Sequence, residues 1–142
     1  MLSIHSWLRW ILLAVVLFAL VHALTQRNHQ RGLVRATVSL MDLQVLLGLF
    51  LYGFLSPFMP KSGEAFRGAM KDSMLRFWAV EHLVSAILAL VAVHVGSVAA
   101  RRAPDAARAQ KRWAIGLGVG LLFLLATVPW PFLPYGRSLF RM

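Results

Sequence analysis

Four long stretches without a charged residue constrain this chain more than any other feature of its sequence. A helix needs about 20 residues to cross the hydrocarbon core of a bilayer, and every backbone group in lipid must be paired within a helix or a closed barrel. The alternation that a barrel strand requires is absent from the four stretches. They cover residues 10–26, 43–60, 82–100 and 113–136. The sequence therefore predicts an all-α integral membrane four-helix bundle, a single membrane domain over 1–142, with helices near 3–25, 35–57, 76–100 and 112–133.

The composition supports a membrane protein and excludes several other classes. Hydrophobic residues make up 59% of the 142 residues and charged residues 14%, whereas soluble domains have about 45–50% and about 25%. A soluble globular domain, a disordered chain and a secreted disulfide scaffold are therefore excluded. Since the sequence has no cysteine, disulfides, thiolate metal sites, iron–sulfur clusters and covalent c-type haem attachment are excluded as well.

Membrane topology explains the formal net charge of +10, because the basic residues lie between the apolar stretches and not on one soluble face. No nucleic-acid partner is therefore expected. The loops after the first and third helices hold eight of the 15 basic residues and only one acidic residue, Asp105. Because Lys and Arg collect in short cytoplasmic loops, we expect a multi-pass protein of the bacterial cytoplasmic (inner) membrane with both termini outside. The first helix is expected to be retained, since Val21-His22-Ala23 is a poor signal-peptide cleavage site.

The segment between the second and third predicted helices has a helical pattern of its own. Phe66, Met70 and Met74 recur every four residues among charged side chains. This spacing places the three apolar residues on one helix face. The pattern predicts a short amphipathic helix that lies on the outer membrane interface; the alternative is an irregular loop.

The two halves of the chain resemble each other, which indicates a tandem repeat of two helical hairpins. Residues 47–51 and 120–124 are similar, and each is followed by a proline-rich segment, at 56–60 and 129–134. Two hairpins in the same orientation would be related by a pseudo-twofold axis along the membrane normal. The alternative is that Leu, Gly, Phe and Pro are simply common in membrane helices.

Small residues recur every fourth position in the last two long helices. Small side chains at this spacing let membrane helices approach closely. They are Ala92, Gly96 and Ala100 in the third helix and Gly116 and Gly120 in the fourth. We interpret them as helix-packing ridges.

Ionisable residues inside the predicted helices are the candidates for function, because each is costly in lipid. They are His5, Arg9, His22, Asp42, Arg76, Glu81, His82 and His94, with Gln44 as a polar companion. Each half of the bilayer receives one histidine from the first helix and one from the third. Two histidines that reach across a bundle core provide what a b-type haem requires.

His82 and His94 are the first ligand candidates for a haem iron, followed by His5 and then His22. Neither helix places both of its histidines on one stripe, so one haem is easier to accommodate than two. Arg9 and Arg76 are expected to pair with the haem propionates.

The acidic residues have alternative roles. Glu81 precedes His82 and can orient it, carry protons or contact a quinone headgroup; otherwise it forms a salt bridge with Arg76 or Arg9. Asp42 can pair with His94 or Arg35, or lie at the interface as a helix-end acid. Gln44 is expected in the same polar surroundings.

Several motifs together resemble a group of small bacterial four-span membrane proteins commonly labelled cytochrome-b-like. The resemblance covers nearly the whole chain, and its most specific part is Arg76-Phe-Trp-Ala-Val-Glu81-His82. The other parts are His5-Ser-Trp-Leu-Arg9-Trp10, Asp42-Leu-Gln44 leading to Gly48 and Ser56-Pro57, His94-Val-Gly96, Pro129-Trp130 and Gly136-Arg137-Ser-Leu-Phe140-Arg141. The resemblance implies a membrane redox function. The chain departs from the cytochrome b pattern, because only His82 and His94 come near its histidine spacing.

Three functions are open from the sequence. The first is a haem-b-binding membrane protein in electron transfer, with a quinone as a candidate partner and the ligands from one chain or from a homodimer. The second is a cofactor-free structural or accessory subunit of a larger membrane complex. The third is a metal- or proton-dependent membrane enzyme or transporter. Histidines and carboxylates can bind zinc, but the sequence has neither His-Glu-x-x-His nor cysteine.

Overall fold

The computed structural model describes residues 1–26, 28 and 30–138 of the chain. The end of the Gly136–Arg141 motif lies outside the described residues. The described part contains helices and no strand, which confirms the all-α fold class. Its helices are α1 (Leu2–Thr25), α2 (Arg31–Leu55), α3 (Gly63–Lys71), α4 (Ser73–Arg101) and α5 (Ala106–Thr127).

Helices α1, α2, α4 and α5 are each long and apolar enough to cross a membrane. Their outward faces expose large apolar side chains such as Leu24, Leu46, Phe54 and Leu122. A soluble monomer rarely exposes contiguous apolar surface of this kind. The four helices are therefore consistent with a bilayer environment and suggest a multi-pass membrane protein.

Helix α5 differs from its predicted bounds at both ends. It begins at Ala106, because the Asp105 side chain caps it and accepts the N–H of Arg108 at 2.8 Å. It ends at Thr127, six residues before the predicted end, because Val128 precedes Pro129 and takes an extended conformation (φ −76°, ψ 124°). Helix α2 ends in the same way, with an extended Ser56 before Pro57. Both hairpins thus finish at a residue before proline, although the tandem repeat stays a prediction.

The four long helices form a ring in which α1 packs on α2 and α5, and α4 packs on α2 and α5. Helices α1 and α4 therefore face each other diagonally. The centre of the bundle is filled by apolar side chains that are almost completely buried. These include Leu12 and Val16 from α1, Met41 from α2, Val93 from α4 and Leu117 from α5.

The closest contact in the bundle is between the backbones of α4 and α5. A Cβ atom on Gly96 would lie 2.7 Å from the Cα atom of Gly116, and one on Gly120 would lie 2.7 Å from Cγ2 of Val93. Real Cβ atoms essentially never approach other atoms so closely. Gly96, Gly116 and Gly120 are therefore required for packing, as their spacing predicts.

The predicted short helix between the second and third spans is present as α3. The Ser62 hydroxyl caps it and accepts the N–H of Ala65 at 3.1 Å. Asp72 separates α3 from α4 and caps α4 through the N–H of Leu75 at 2.8 Å. Phe66 is exposed, as expected for an apolar face without a protein partner. The position of α3 on a membrane surface stays a prediction.

Replacement of Gly116 by alanine is expected to destabilise the bundle. The added methyl group meets the α4 backbone, and overpacking of this kind costs about 1–3 kcal/mol. Gly118→Ala is the matched control, because nothing lies within 4 Å of a Cβ atom at Gly118. The thermal midpoint of the detergent-solubilised protein, followed by circular dichroism, should fall for Gly116→Ala only. Equal midpoints for both variants would contradict the assigned contact.

Candidate cofactor-binding site

A cavity of about 360 Å³ lies at the end of the bundle that contains the N-terminus. Its wall is mostly apolar and comes from α1, α2, α4 and the end of α5. Polar side chains enter it from α1, α2 and α4, and they include His5, Arg9, Gln44, Tyr52 and His82. A second cavity of about 380 Å³ shares His5, Arg9 and His82 with the first. An apolar cavity with a few convergent polar groups is the usual form of a ligand site.

His5 and His82 face each other in this cavity from diagonal helices. Their ring centres are 6.4 Å apart and their planes are inclined by 67°. Nδ1 of His82 lies 2.8 Å from the carbonyl oxygen of Thr127 at the end of α5. Because a carbonyl can only accept a hydrogen bond, Nδ1 must carry the hydrogen. Nε2 of the neutral ring then has a free lone pair, which is the form of a metal-ligating histidine.

His5 is positioned by two residues of α2. Nε2 of Gln44 donates to the carbonyl oxygen of His5 at 3.2 Å and lies 3.5 Å from Nε2 of the ring. A Cβ atom on Gly48 would lie 3.1 Å from Cε1 of His5. The absence of a side chain at Gly48 therefore leaves room for the ring between α1 and α2.

Three buried polar atoms around the cavity have no hydrogen-bond partner among the described residues. They are Nδ1 of His5, Oε1 of Gln44 and Nε1 of Trp78. A buried polar group without a partner costs about 1–3 kcal/mol, and native proteins contain few of them. Their convergence on one cavity indicates a site that a polar ligand completes.

Two π-helical turns form part of the cavity wall. They are the last turn of α2, Leu51–Leu55, and the turn of α4 at Phe77–Glu81. The hydroxyl of Tyr52 donates to the carbonyl oxygen of Ala79 at 2.7 Å and so joins the two turns. Single π-helical turns are frequent at functional sites. The hydrophobic periodicity of the sequence does not predict these two π-helical turns.

The C-terminal segment brings a second arginine to the cavity. The ring of Tyr135 stacks on Phe77 with centres 3.8 Å apart, and the N–H of Arg137 donates to the carbonyl oxygen of Pro129 at 3.1 Å. The Arg137 guanidinium lies 4.1 Å from the ring centre of Trp78. Sequence reasoning placed Arg137 in a motif but gave it no role. The sequence signal that could have identified Arg137 is a cationic residue close to the end of a membrane span.

Arg9 lines both cavities, as its place four residues after His5 predicts. Its Nη2 atom donates to the hydroxyl of Ser6 at 3.3 Å, and its guanidinium lies 5.1 Å from the ring centre of Trp10. The positive charge is therefore held at the wall of the cavity by the first turns of α1.

Arg76 and Glu81 pair with each other instead of lining either of these cavities. Nε of Arg76 lies 2.6 Å from Oε1 of Glu81. Glu81 therefore forms the salt bridge with Arg76 that was one of its predicted alternatives. Nδ1 of His82 is bound to Thr127, so the role of orienting His82 that was considered for Glu81 falls to the Thr127 carbonyl.

Asp42 and His94 form a separate pair between α2 and α4. Oδ1 of Asp42 lies 2.7 Å from Nε2 of His94. His94 is twelve residues from His82 on the same helix, a rise of about 18 Å. One metal ion therefore cannot bind both of these histidines of a single chain. His22 lies in the last turn of α1 beside Phe18, with ring centres 6.4 Å apart.

Comparison of the chain with protein-family models, curated proteins and solved structures finds no match. The resemblance to cytochrome-b-like membrane proteins therefore stays a prediction. The functional argument rests on the geometry of the cavity.

Replacement of Tyr52 by phenylalanine is expected to lower the free energy of unfolding by about 1 kcal/mol, because the Ala79 carbonyl loses its hydrogen bond. Tyr135→Phe is the matched control, since no hydrogen bond of the Tyr135 hydroxyl is found among the described residues and its ring stacking would be kept. Thermal unfolding in detergent measures both effects. A Tyr52→Phe variant as stable as Tyr135→Phe would show that the Tyr52–Ala79 bond does not hold the two turns together.

Proposed function

We propose that the chain is a membrane protein that binds one b-type haem through His5 and His82 and takes part in electron transfer. The observation that carries this proposal is the pair of histidine rings facing each other across the cavity. Imidazole is a common ligand of haem iron, and two rings whose centres lie 6.4 Å apart would hold the same group.

The other groups of the cavity suit an amphipathic cofactor with two carboxylates. Arg9 and Arg137 line it and would pair with the propionates, since guanidinium and carboxylate form strong charge-assisted hydrogen bonds. Arg137 thereby takes the role predicted for Arg76, which is bound to Glu81. The unpaired Nε1–H of Trp78 is a further donor.

When bound, the haem supplies a one-electron carrier whose potential is set by its axial ligands and surroundings. The chain's own residues hold and orient the ligands. The Thr127 carbonyl fixes the tautomer of His82, and the apolar wall excludes water. His5 and His82 would both be used to hold the haem, and electron transfer is the chemistry that it would supply there. The electron partner would be a quinone in the bilayer or a larger membrane complex.

A second candidate function is a cofactor-free accessory subunit of a membrane complex. The Asp42–His94 pair favours it, because both side chains are about two-fifths exposed (41% and 44%) in helices whose adjacent residues are apolar. Ionisable groups in membrane helices usually face protein or a water-filled cavity. A neighbouring subunit, including a second copy of this chain, would cover the pair.

Visible spectra of the purified protein test the haem proposal. Protein from haem-replete cells should show a Soret band that shifts on dithionite reduction, and a pyridine haemochrome of b type at about one haem per chain. His5→Ala and His82→Ala should each abolish or shift this spectrum, because each removes a residue that would hold the haem. His22→Ala and His94→Ala are the controls and should leave the spectrum unchanged.

The outcomes separate the two candidate functions. A colourless wild-type protein that co-purifies with larger membrane proteins would support the accessory subunit and contradict haem binding. A red protein whose spectrum changes with His94→Ala, and not with His5→Ala, would contradict the assigned ligand pair while keeping the cofactor.

The proposed orientation places the haem cavity near the outer face of the inner membrane. Because the chain has no cysteine, single cysteines report topology directly. Lys61→Cys and Ala106→Cys introduce thiols at two exposed positions on opposite ends of the bundle. A membrane-impermeant maleimide should label position 61 in intact spheroplasts and position 106 only after permeabilisation. The reverse pattern would contradict the orientation, and equal labelling of both would contradict the four spans.

A further inference from the structure

A separate cavity lies at the opposite end of the bundle from the histidine pair. It has a volume of about 810 Å³ and lies between α2, α4 and the start of α5. Three arginines line it, Arg31, Arg35 and Arg101. Among the described residues, none of the three guanidinium groups has an ion pair or a hydrogen bond. The cavity therefore carries positive charge that the described part of the chain does not neutralise.

The alignment of the antiparallel helices α2 and α4 determines how far along the bundle axis each residue of the cavity wall lies. The contact between Asp42 and His94 fixes which residues of the antiparallel helices lie opposite each other. Ser39 and Ser97 each lie three residues nearer the basic end than that pair, about 4.5 Å along the axis. Arg35 and Arg101 each lie seven residues from it, about 10.5 Å. Residues three, four and seven apart share one helix face, and both serines and both arginines line the cavity.

The chemistry of this arrangement selects a phosphate group. Guanidinium groups bind phosphate oxygens through paired, charge-assisted hydrogen bonds, and serine hydroxyls add neutral donors. The one acidic residue of the wall, Asp105, is occupied by the cap of α5 and by Arg108, whose Nε lies 3.5 Å from it. It therefore leaves the arginines available to an external anion.

The surface beyond the cavity indicates that the phosphate belongs to a lipid. On the faces that bear Asp42 and His94, the next residues away from the basic end are Leu46 and Val91, and both are exposed. The exposed residues of α2 and α4 thus change from cationic to polar to apolar along the bundle axis, as a phospholipid changes from phosphate to ester to acyl chain. Basic pockets between membrane helices on the cytoplasmic side bind acidic headgroups.

We propose that the cavity between α2 and α4 binds the phosphate group of an acidic phospholipid, with Arg35 and Arg101 as its anion ligands and Ser39 and Ser97 as hydrogen-bond donors. The proposal rests on the membrane location in the proposed function and is independent of haem.

Native mass spectrometry of the detergent-solubilised chain tests the site. Phosphatidylglycerol and phosphatidylcholine with identical acyl chains are added in parallel. The wild-type protein should retain one phosphatidylglycerol and little phosphatidylcholine. Arg35→Gln combined with Arg101→Gln should weaken phosphatidylglycerol binding about tenfold or more, because charge-assisted hydrogen bonds are lost.

A second double variant provides the matched control. Arg102→Gln combined with Lys111→Gln removes the same charge from the same end, but neither residue lines this cavity, so binding should stay at the wild-type level. Circular dichroism checks that both variants are folded. Equal loss in the two variants, no loss in either, or equal retention of both lipids would overturn the proposal.

Two further arms identify the ligand and separate the proposals. Inorganic phosphate in molar excess should displace little phosphatidylglycerol, and complete displacement would assign the site to free phosphate. His82→Ala should keep the lipid whatever its spectrum shows. A protein that loses haem and keeps the lipid would leave the lipid site supported. A protein that keeps haem and does not bind the lipid would overturn the lipid site and leave the haem proposal standing.

Discussion

The backbone contact of α4 with α5 at Gly96 and Gly116 sets the register on which the histidine site depends. Because neither glycine has a side chain, the two helices meet at van der Waals distance and cannot slide past each other without a clash. Near the far end of the same helix pair, the Thr127 carbonyl comes within 2.8 Å of Nδ1 of His82. A shift of one residue, about 1.5 Å, would break that hydrogen bond and release the ring. The packing of two glycines thereby fixes the tautomer of a histidine more than three helical turns away.

Some ionisable side chains of the bundle form ion pairs with each other, and others have no ion-pair partner among the described residues. Arg76 pairs with Glu81, and Asp42 pairs with His94. His5 and His82 have no carboxylate partner among the described residues, and the unpaired atoms of Gln44 and Trp78 lie around the same cavity. Since an unsatisfied buried polar group is costly, this division separates the site from the merely structural polar contacts. It is also the reason why the haem proposal rests on His5 and His82 and not on His94.

The sequence predicted what depends on local properties of the chain. Charge-free stretches located the four long helices, and prolines explain where α2 and α5 end. The small residues of α4 and α5 identified the closest helix contact. The partner of His82 was not predictable, because it depends on how each helix is rotated about its axis. The π-helical turn at Phe77–Glu81 adds to this difficulty, because it changes the number of residues per turn just before His82. Arg76 and Glu81 are five residues apart and would not be neighbours in a regular α-helix, but a π-helical turn brings residues at this spacing together.

Helices α2 and α4 lie side by side from the histidine end of the bundle to the basic end. Polar groups join the two helices at separate levels. Tyr52 and Ala79 join the helices at the histidine end, and Asp42 and His94 join them farther along. Below that level the two helices present Arg35 and Arg101 to one cavity, and like charges repel. A phosphate group between them would replace that repulsion with attraction and complete the series of contacts.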